Sequence, residues 1–224
     1  MDHLTPDIYS SSAFRERVLE RFQSRADVLA AVGGDHILNP HYGEELTSKT
    51  FKEAAVLIPI IDRDGEAFVL LTQRTEHLSS HSGQVAFPGG KIDEGESNEQ
   101  AALREAHEEV GLNPADVEVL GTFGTYFSGS GYSVAPVVGM VRGIPKLNIS
   151  EDEVADVFEV PLSFLMNDAN HIPETREWKN KEITYYTMPY KDENLDPPVE
   201  RRIWGLTAGI IHMVQERLYG AANI

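Results

Sequence analysis

Three glutamates, Glu105, Glu108 and Glu109, are crowded into "LREAHEEVGL". On a helix, positions three and four apart are neighbours, so Glu105 sits beside both of the others. Each like-charge contact costs roughly a few tenths of a kcal/mol, and carboxylates in the second half of a helix also oppose its dipole. A bound cation would offset both penalties. Divalent hard ions take carboxylate oxygens, and Mg²⁺ in particular is held by a few carboxylates together with substrate phosphates. A solvated acidic helix face is the competing reading.

The helix that must carry these residues is predicted from about Ser97 to Val110, ended by Gly111 as a C′ glycine. "GQVAFPGG" precedes it and reads as a short strand stopped by Pro88, Gly89 and Gly90. Further upstream, "EAAVLIPIID" and "AFVLLTQR" read as two strands joined by a hairpin turn at "RDGE". Downstream, "VEVLGTFGTYF", "YSVAPVVGMVRG" and "EVADVFEVPL" read as strands, with "SGSG" as a loop between the first two. A short helix is expected near "SFLMND" and a late hairpin from "TREW" and "EITYYTMPY". "IWGLTAGIIHMVQERLYG" reads as a closing amphipathic helix. At the other end, residues 1–48 look like an N-terminal extension: a helix over about Ser11–Val32, capped by Ser11 or Ser12, then a loop. Residues 49–224 form the main domain. Many strands with few interleaved helices predict an α+β fold with a mixed sheet between helices.

Composition narrows the partners. The chain of 224 residues has a formal net charge of -17 and is 41% hydrophobic, enough to bury a core. So acidic a surface repels nucleic acid and anionic membranes, and a polyanionic substrate would arrive with metal cations. The absence of cysteine excludes disulfides, thiolate metal sites and a cysteine nucleophile, and fits a reducing, cytoplasmic setting. "MDHLTPDIYS" has neither a basic nor an apolar leader region, and no apolar run approaches the roughly 20 residues of a membrane span.

From Gly90 the spacing is Gly, five residues, Glu96, seven residues, then Arg104-Glu105-Ala106-His107-Glu108-Glu109-Val110-Gly111-Leu112. This resembles the Nudix box, Gly-x5-Glu-x7-Arg-Glu-U-x-Glu-Glu-x-Gly-U, with U a bulky aliphatic. Every fixed position matches; Ala106 is smaller than the usual aliphatic and implies closer packing beneath the helix. The resemblance implies a Nudix-type α/β/α sandwich and a hydrolase of a nucleoside diphosphate linked to another group, using Mg²⁺ or Mn²⁺. It implies that Glu105, Glu108 and Glu109 hold the metal, with the Gly90 carbonyl as a further candidate ligand. Arg104 and Glu96 would pair and set the loop against the helix. The metal would neutralise the diphosphate, polarise a phosphoryl group and lower the pKa of the attacking water.

The stretch "LLTQRTEHLSSHSGQVAFPGGKID" is similar to the extended motif of the coenzyme A pyrophosphatase branch of that family. Leu70, Leu71, Thr72, Arg74, Gly83, Phe87, Pro88, Gly89 and Gly90 match it. Thr75 replaces a serine, and Ser79 stands where the motif has an arginine, losing a bidentate phosphate grip. The resemblance implies cleavage of coenzyme A, with its acyl esters as further candidates, to 3′,5′-ADP and 4′-phosphopantetheine; ADP-ribose, a dinucleoside polyphosphate or an oxidised nucleotide is the alternative substrate, and a nucleotide-binding sensor without catalysis the alternative class. Arg74 would contact a substrate phosphate, or else pair with an acid at its strand end. His81 would assist a phosphate, or else hydrogen-bond within its loop. Gly83, Phe87 and Gly89 would line the ligand, and Tyr132 or Tyr126 could stack on adenine, or pack as strand-end tyrosines do. A general base outside the box is expected in "SEDEVADVFEVPL", with Glu153 first and Glu151, Asp152 and the box residues Glu108 and Glu109 as rivals. As several Nudix enzymes dimerise, a homodimer is a further expectation.

Overall fold

The computed structural model describes residues 8–42, 50–76, 83–178, 180–193 and 195–220. Twelve strands are formed among them: β1 (Gly33–Gly34), β2 (Lys52–Arg63), β3 (Glu66–Arg74), β4 (Val85–Ala86), β5 (Gly89–Lys91), β6 (Val117–Thr122), β7 (Tyr126–Phe127), β8 (Tyr132–Val141), β9 (Val154–Pro161), β10 (Ile172–Trp178), β11 (Lys181–Asp192) and β12 (Val199–Trp204). The first nine build one mixed sheet. β2 lies at its centre, parallel to β8 over ten residue pairs and antiparallel to β3 and β5. β9 flanks β3, and β6 and β7 flank β8.

The hairpin between β2 and β3 turns at Asp64 and Gly65, both at positive φ, the geometry that matches strand twist in a two-residue turn. Along β2 the side chains alternate between faces. Leu57 and Ile61 pack with Leu70 and Val137 beneath one helix, while Ile58 and Ile60 pack with Val69 and Leu71 on the other face. The sheet is therefore buried on both sides, the expected sandwich.

On the first face lies α3 (Asn98–Val110), the glutamate helix. Ser97 caps it through a reciprocal capping box with Gln100, and Gly111 closes it in the left-handed conformation at φ 73. It buries Ala101, Ala102, Ala106 and Val110 against the sheet. Ala106 is 1% exposed, so the small residue does sit where the helix approaches the sheet. On the second face lie α1 (Ser11–Ser24), α2 (Ala26–Ala30), α4 (Leu162–Leu165) and α5 (Leu206–Tyr219).

Several boundaries differ from expectation. The cap of α1 is Ser10, and the predicted long helix breaks at Arg25, whose backbone leaves the helical region before α2 begins. The glycines after Pro88 do not end a strand. Gly89–Lys91 is itself a strand on β2, with Gly89 opposite Val56 and Gly90 opposite Ala55. β10 and β11 form the expected late hairpin, but β12 joins it as a third strand and makes a separate small sheet. Ile203 and Trp204 belong to β12, so α5 starts only at Leu206. α5 is also buried round most of its circumference, Gln215 and Arg217 included. It is a core helix covered by several elements, not a two-faced one.

Candidate active site

The sheet brings the "PGG" segment beside the last turns of α3. The Gly89 N–H donates to Glu109 Oε2 at 3.1 Å, and Arg74, at the end of β3, donates to Glu109 Oε1 at 3.3 Å. A Cβ at Gly89 would overlap the Ala55 carbonyl, and one at Gly90 would overlap the Glu105 carboxylate. Only glycine lets this strand pass between β2 and the glutamates.

Arg104 organises the opposite side. Its Nε and Nη2 grip Glu96 in a bidentate pair at 2.8 and 2.9 Å, and Nη2 also donates to the Lys91 carbonyl at 3.0 Å. Its Nη1 reaches Glu105 at 2.9 Å and Glu108 at 3.1 Å. Glu96 in turn accepts the Asp93 N–H at 3.0 Å. This bolts the 91–96 loop to the helix, the pairing expected for Arg104 and Glu96.

The electrostatics separate the carboxylates. Glu96 is drawn down to about 2, first by its bonds to Arg104 and then by the Asp93 N–H. Glu109 is 3% exposed and is pushed up to about 7 by burial. The Gly89 N–H and Arg74 oppose that rise, while Glu105 and Glu153 add to it. Glu105 is also raised, mainly by burial, with Glu108 and Glu153 contributing against the pull of Arg104.

Glu153 is thus close enough to act on both Glu105 and Glu109, from a different part of the chain. The loop carrying it is pinned twice. Asn148 and Ser150 donate their N–H groups to the Val110 and Glu109 carbonyls at the end of α3, each at 2.9 Å. Thr75 donates its N–H to the Glu153 carbonyl at 3.0 Å and its hydroxyl to the Asp152 carbonyl at 3.2 Å. The serine-to-threonine departure at Thr75 therefore keeps the hydroxyl that anchors this loop. The sequence motif marked the position but not this role.

Among the described residues, no three acidic or histidine side chains already converge as tightly as a metal centre requires. Glu105 and Glu108 lean on Arg104, and Glu109 on Arg74 and Gly89. The donor set nevertheless fits a divalent cation. Glu105, Glu108 and Glu109 lie within four residues of one another on α3, Glu105 and Glu109 have pKa values raised chiefly by burial and further by neighbouring carboxylates, and the missing Cβ of Gly90 leaves room at Glu105.

Beside this cluster is a cleft of about 220 Å³. Arg74, Phe87, Gly89, Gly90 and Tyr132 line it, five of the residues expected to meet substrate or metal. Gly83, at φ 68 with open space around it, shapes the approach to β4. Tyr126 is elsewhere. It is 6% exposed, with its hydroxyl donated to Asp35 at 2.6 Å, so it cannot stack on a ligand. His81 and Ser79 fall in residues 77–82, outside the described residues. The cleft is also walled by Trp204, Leu206 and Thr207, which were not among the expected site residues. They arrive through β12 and the start of α5, far along the chain, and only the strand that the sequence reading missed would have revealed them.

A mixed sheet between helices, with a glycine strand held against a glutamate helix by an arginine–glutamate bolt, defines a class, and residues 51–186 match the family model of the NUDIX domain. The chain belongs to the Nudix family and is a pyrophosphatase of that family, a hydrolase of a nucleotide derivative. It is 37% identical over 207 residues to Escherichia coli proteins described as uncharacterized Nudix hydrolase NudL, covering 88% of this chain and 93% of theirs. Among solved structures it is similar to a MutT/nudix family protein from Enterococcus faecalis, at 19% identity and TM-score 0.45, covering 91% of this chain and 72% of that one. It is also similar to a C. elegans Ap4A hydrolase, at 24% identity and TM-score 0.42, covering 49% and 80%. No described helix is long and apolar enough to cross a membrane.

Proposed function

We propose that the protein hydrolyses the diphosphate of coenzyme A, and of its acyl esters, to 3′,5′-ADP and 4′-phosphopantetheine. The observation that carries this reading is the Leu70–Asp93 motif. Its residues Arg74, Phe87, Gly89 and Gly90 line one cleft, directly against Glu109. Bound Mg²⁺ or Mn²⁺ would neutralise the diphosphate and lower the pKa of the attacking water. Glu105, Glu108 and Glu109 supply the carboxylate oxygens for that ion, and the Gly90 carbonyl lies on the same strand. Glu109 would hold such an ion as the carboxylate, its ligating form.

Arg74 stands at the cleft as well as beside Glu109, so it can release the carboxylate to a cation and turn to a phosphate. Glu153 is the proposed general base. It is exposed, is held by a loop pinned to α3 and β3, and acts on both Glu105 and Glu109. Arg104 and Glu96 hold the loop in place and take no part in the chemistry. Tyr132 forms a wall of the cleft. A chain without cysteine suits the reducing cytosol where coenzyme A would be met as a thiol.

A panel of coenzyme A, ADP-ribose, dinucleoside polyphosphates and oxidised nucleotides, read by mass spectrometry with Mg²⁺ or Mn²⁺, tests the substrate. Coenzyme A should be turned over best, giving the two named products. Intact coenzyme A beside rapid cleavage of another member would overturn the assignment in favour of that nucleotide. Glu153→Gln should lower kcat by about 10²–10⁴-fold, the range for loss of a general base. An unchanged kcat would return the role to a box glutamate.

A further inference from the structure

A second cavity, of about 150 Å³, opens beside the cleft, between the small β10–β12 sheet and the 128–130 segment. Gln84, Ser130, Trp204 and Leu206 line both, so the two spaces adjoin. Together they reach the roughly 300–1,000 Å³ of small-molecule sites. We propose that this cavity is the nucleoside subsite of the cleft. It takes the aromatic base against Trp204 and Tyr185 and a phosphate on the ribose beside Arg176. The proposal deepens the coenzyme A reading and rests on it for the identity of the substrate.

Three observations support this. The first is the aromatic wall. Trp204 and Tyr185 meet edge to face with centroids 5.7 Å apart, on adjacent strands. Base–aromatic stacking needs no sequence of hydrogen bonds, because every base offers a π-face. The second is the cation. The Arg176 guanidinium lies 5.3 Å from the Tyr185 ring centroid and 5.2 Å from that of Trp204. Its side chain is exposed and has no carboxylate partner among the described residues, whereas Arg202, also over Trp204, is paired with Glu174. In a chain of net charge -17, an unneutralised arginine at a cavity is the natural receptor for an anion.

The third observation is that the wall is preorganised. Buried Asn39 uses its whole amide to join the N-terminal segment to β11, donating to the Asp35 and Thr184 carbonyls and accepting the Thr184 N–H. Asp35 then holds the 128–130 segment by accepting the Gly129 N–H at 2.7 Å. Ligand binding need not pay to order these segments. Arg176 would also supply a cation to a ligand whose usual arginine in the motif is replaced here by Ser79.

Trp178 and Trp204 are the two tryptophans of the chain, and both line this cavity, so intrinsic fluorescence reports on it directly. The probes are adenosine 3′,5′-bisphosphate and adenosine 5′-monophosphate in Mg²⁺, neither of which has an anhydride to cleave. Both should quench saturably, with the bisphosphate binding about tenfold more tightly. Arg176→Gln, on an exposed strand, should erase that preference, bringing the bisphosphate to the affinity of the monophosphate. Trp204→Ala should weaken both by about tenfold or more. No saturable response overturns the proposal, and so does a bisphosphate preference that survives Arg176→Gln. If Trp204→Ala fails to fold by circular dichroism, the Arg176→Gln comparison alone decides. The substrate assignment fails separately: binding intact without coenzyme A hydrolysis upholds the subsite and removes that substrate, whereas hydrolysis without a fluorescence response overturns the subsite alone.

Discussion

Glu96 and Glu109 are both carboxylates of one motif, yet their surroundings drive them apart. Glu96 lies at the loop end of the motif, doubly bonded to Arg104, and is held at about 2. Glu109 lies at the buried end of the helix, and burial takes it to about 7 in spite of Arg74 and the Gly89 N–H. An ion pair with good geometry locks a carboxylate in its charged form and makes it a structural part. A carboxylate whose charge is costly is one that gains most from a cation. Within a run of fourteen residues, the motif contains a fastener, which ties the 91–96 loop to α3, and a buried carboxylate for which we propose metal binding.

The comparison breaks most severely at Glu109. The double change Glu108→Gln and Glu109→Gln should cut Mg²⁺-dependent turnover by about a thousandfold, equivalent to about 4 kcal/mol of barrier. The far-ultraviolet circular dichroism should be unchanged, since both residues remain hydrogen-bonding amides. An unaltered rate would refute the metal assignment. A smaller effect is expected at the fastener. Arg104→Lys keeps the charge but cannot span Glu96, Glu105, Glu108 and the Lys91 carbonyl together. Turnover should fall about ten- to hundredfold, the scale for losing a residue that orients ligands. An equal loss in Arg104→Lys and in the glutamate double mutant would mean that Arg104 meets the substrate.

The smallest effect is on stability against pH, in metal-free protein. Glu109 has a raised pKa, so between its ordinary 4.5 and about 7 the folded state binds more protons than the unfolded state. Stability should therefore fall as pH rises through that window, by up to about 3 kcal/mol. Glu96 has the opposite sign: its contribution is present above 4.5 and is lost as pH falls toward 2. Urea unfolding in EDTA across pH 2–8 should show both limbs, and Glu109→Gln should flatten only the upper one. A Glu109→Gln profile that parallels the wild type would place the upper limb elsewhere.

Much of this was legible in the sequence because local rules dictated it. Ser97 and Gly111 delimit the glutamate helix by capping chemistry, and the alternation of β2 and β3 follows from burial. The role of "PGG" was misread. Gly and Pro normally break strands, but here close packing against Glu105 and Ala55 requires residues without a Cβ, and the backbone still pairs with β2. β12 was hidden because "VERRIW" is charged and short, and its strand state comes from pairing with β11. Tyr126 looked like a ligand contact by position, yet the partner that decided its place was Asp35, 91 residues away. Nothing in the local pattern announces such a contact.

The first two helices and the last one grip each other. Arg17 donates to the Leu218 carbonyl across 201 positions, Arg217 donates to the Leu29 carbonyl across 188, and Val18 and Leu218 share the same core. On the ribosome Arg17 emerges 201 positions ahead of Leu218, the partner that it finds in α5. Residues 8–42 must then wait, with Phe14 and Val18 uncovered, until α5 arrives. Folding that depends on contacts so distant is intrinsically slow. α1, made earlier, is in this sense completed only by α5, made later.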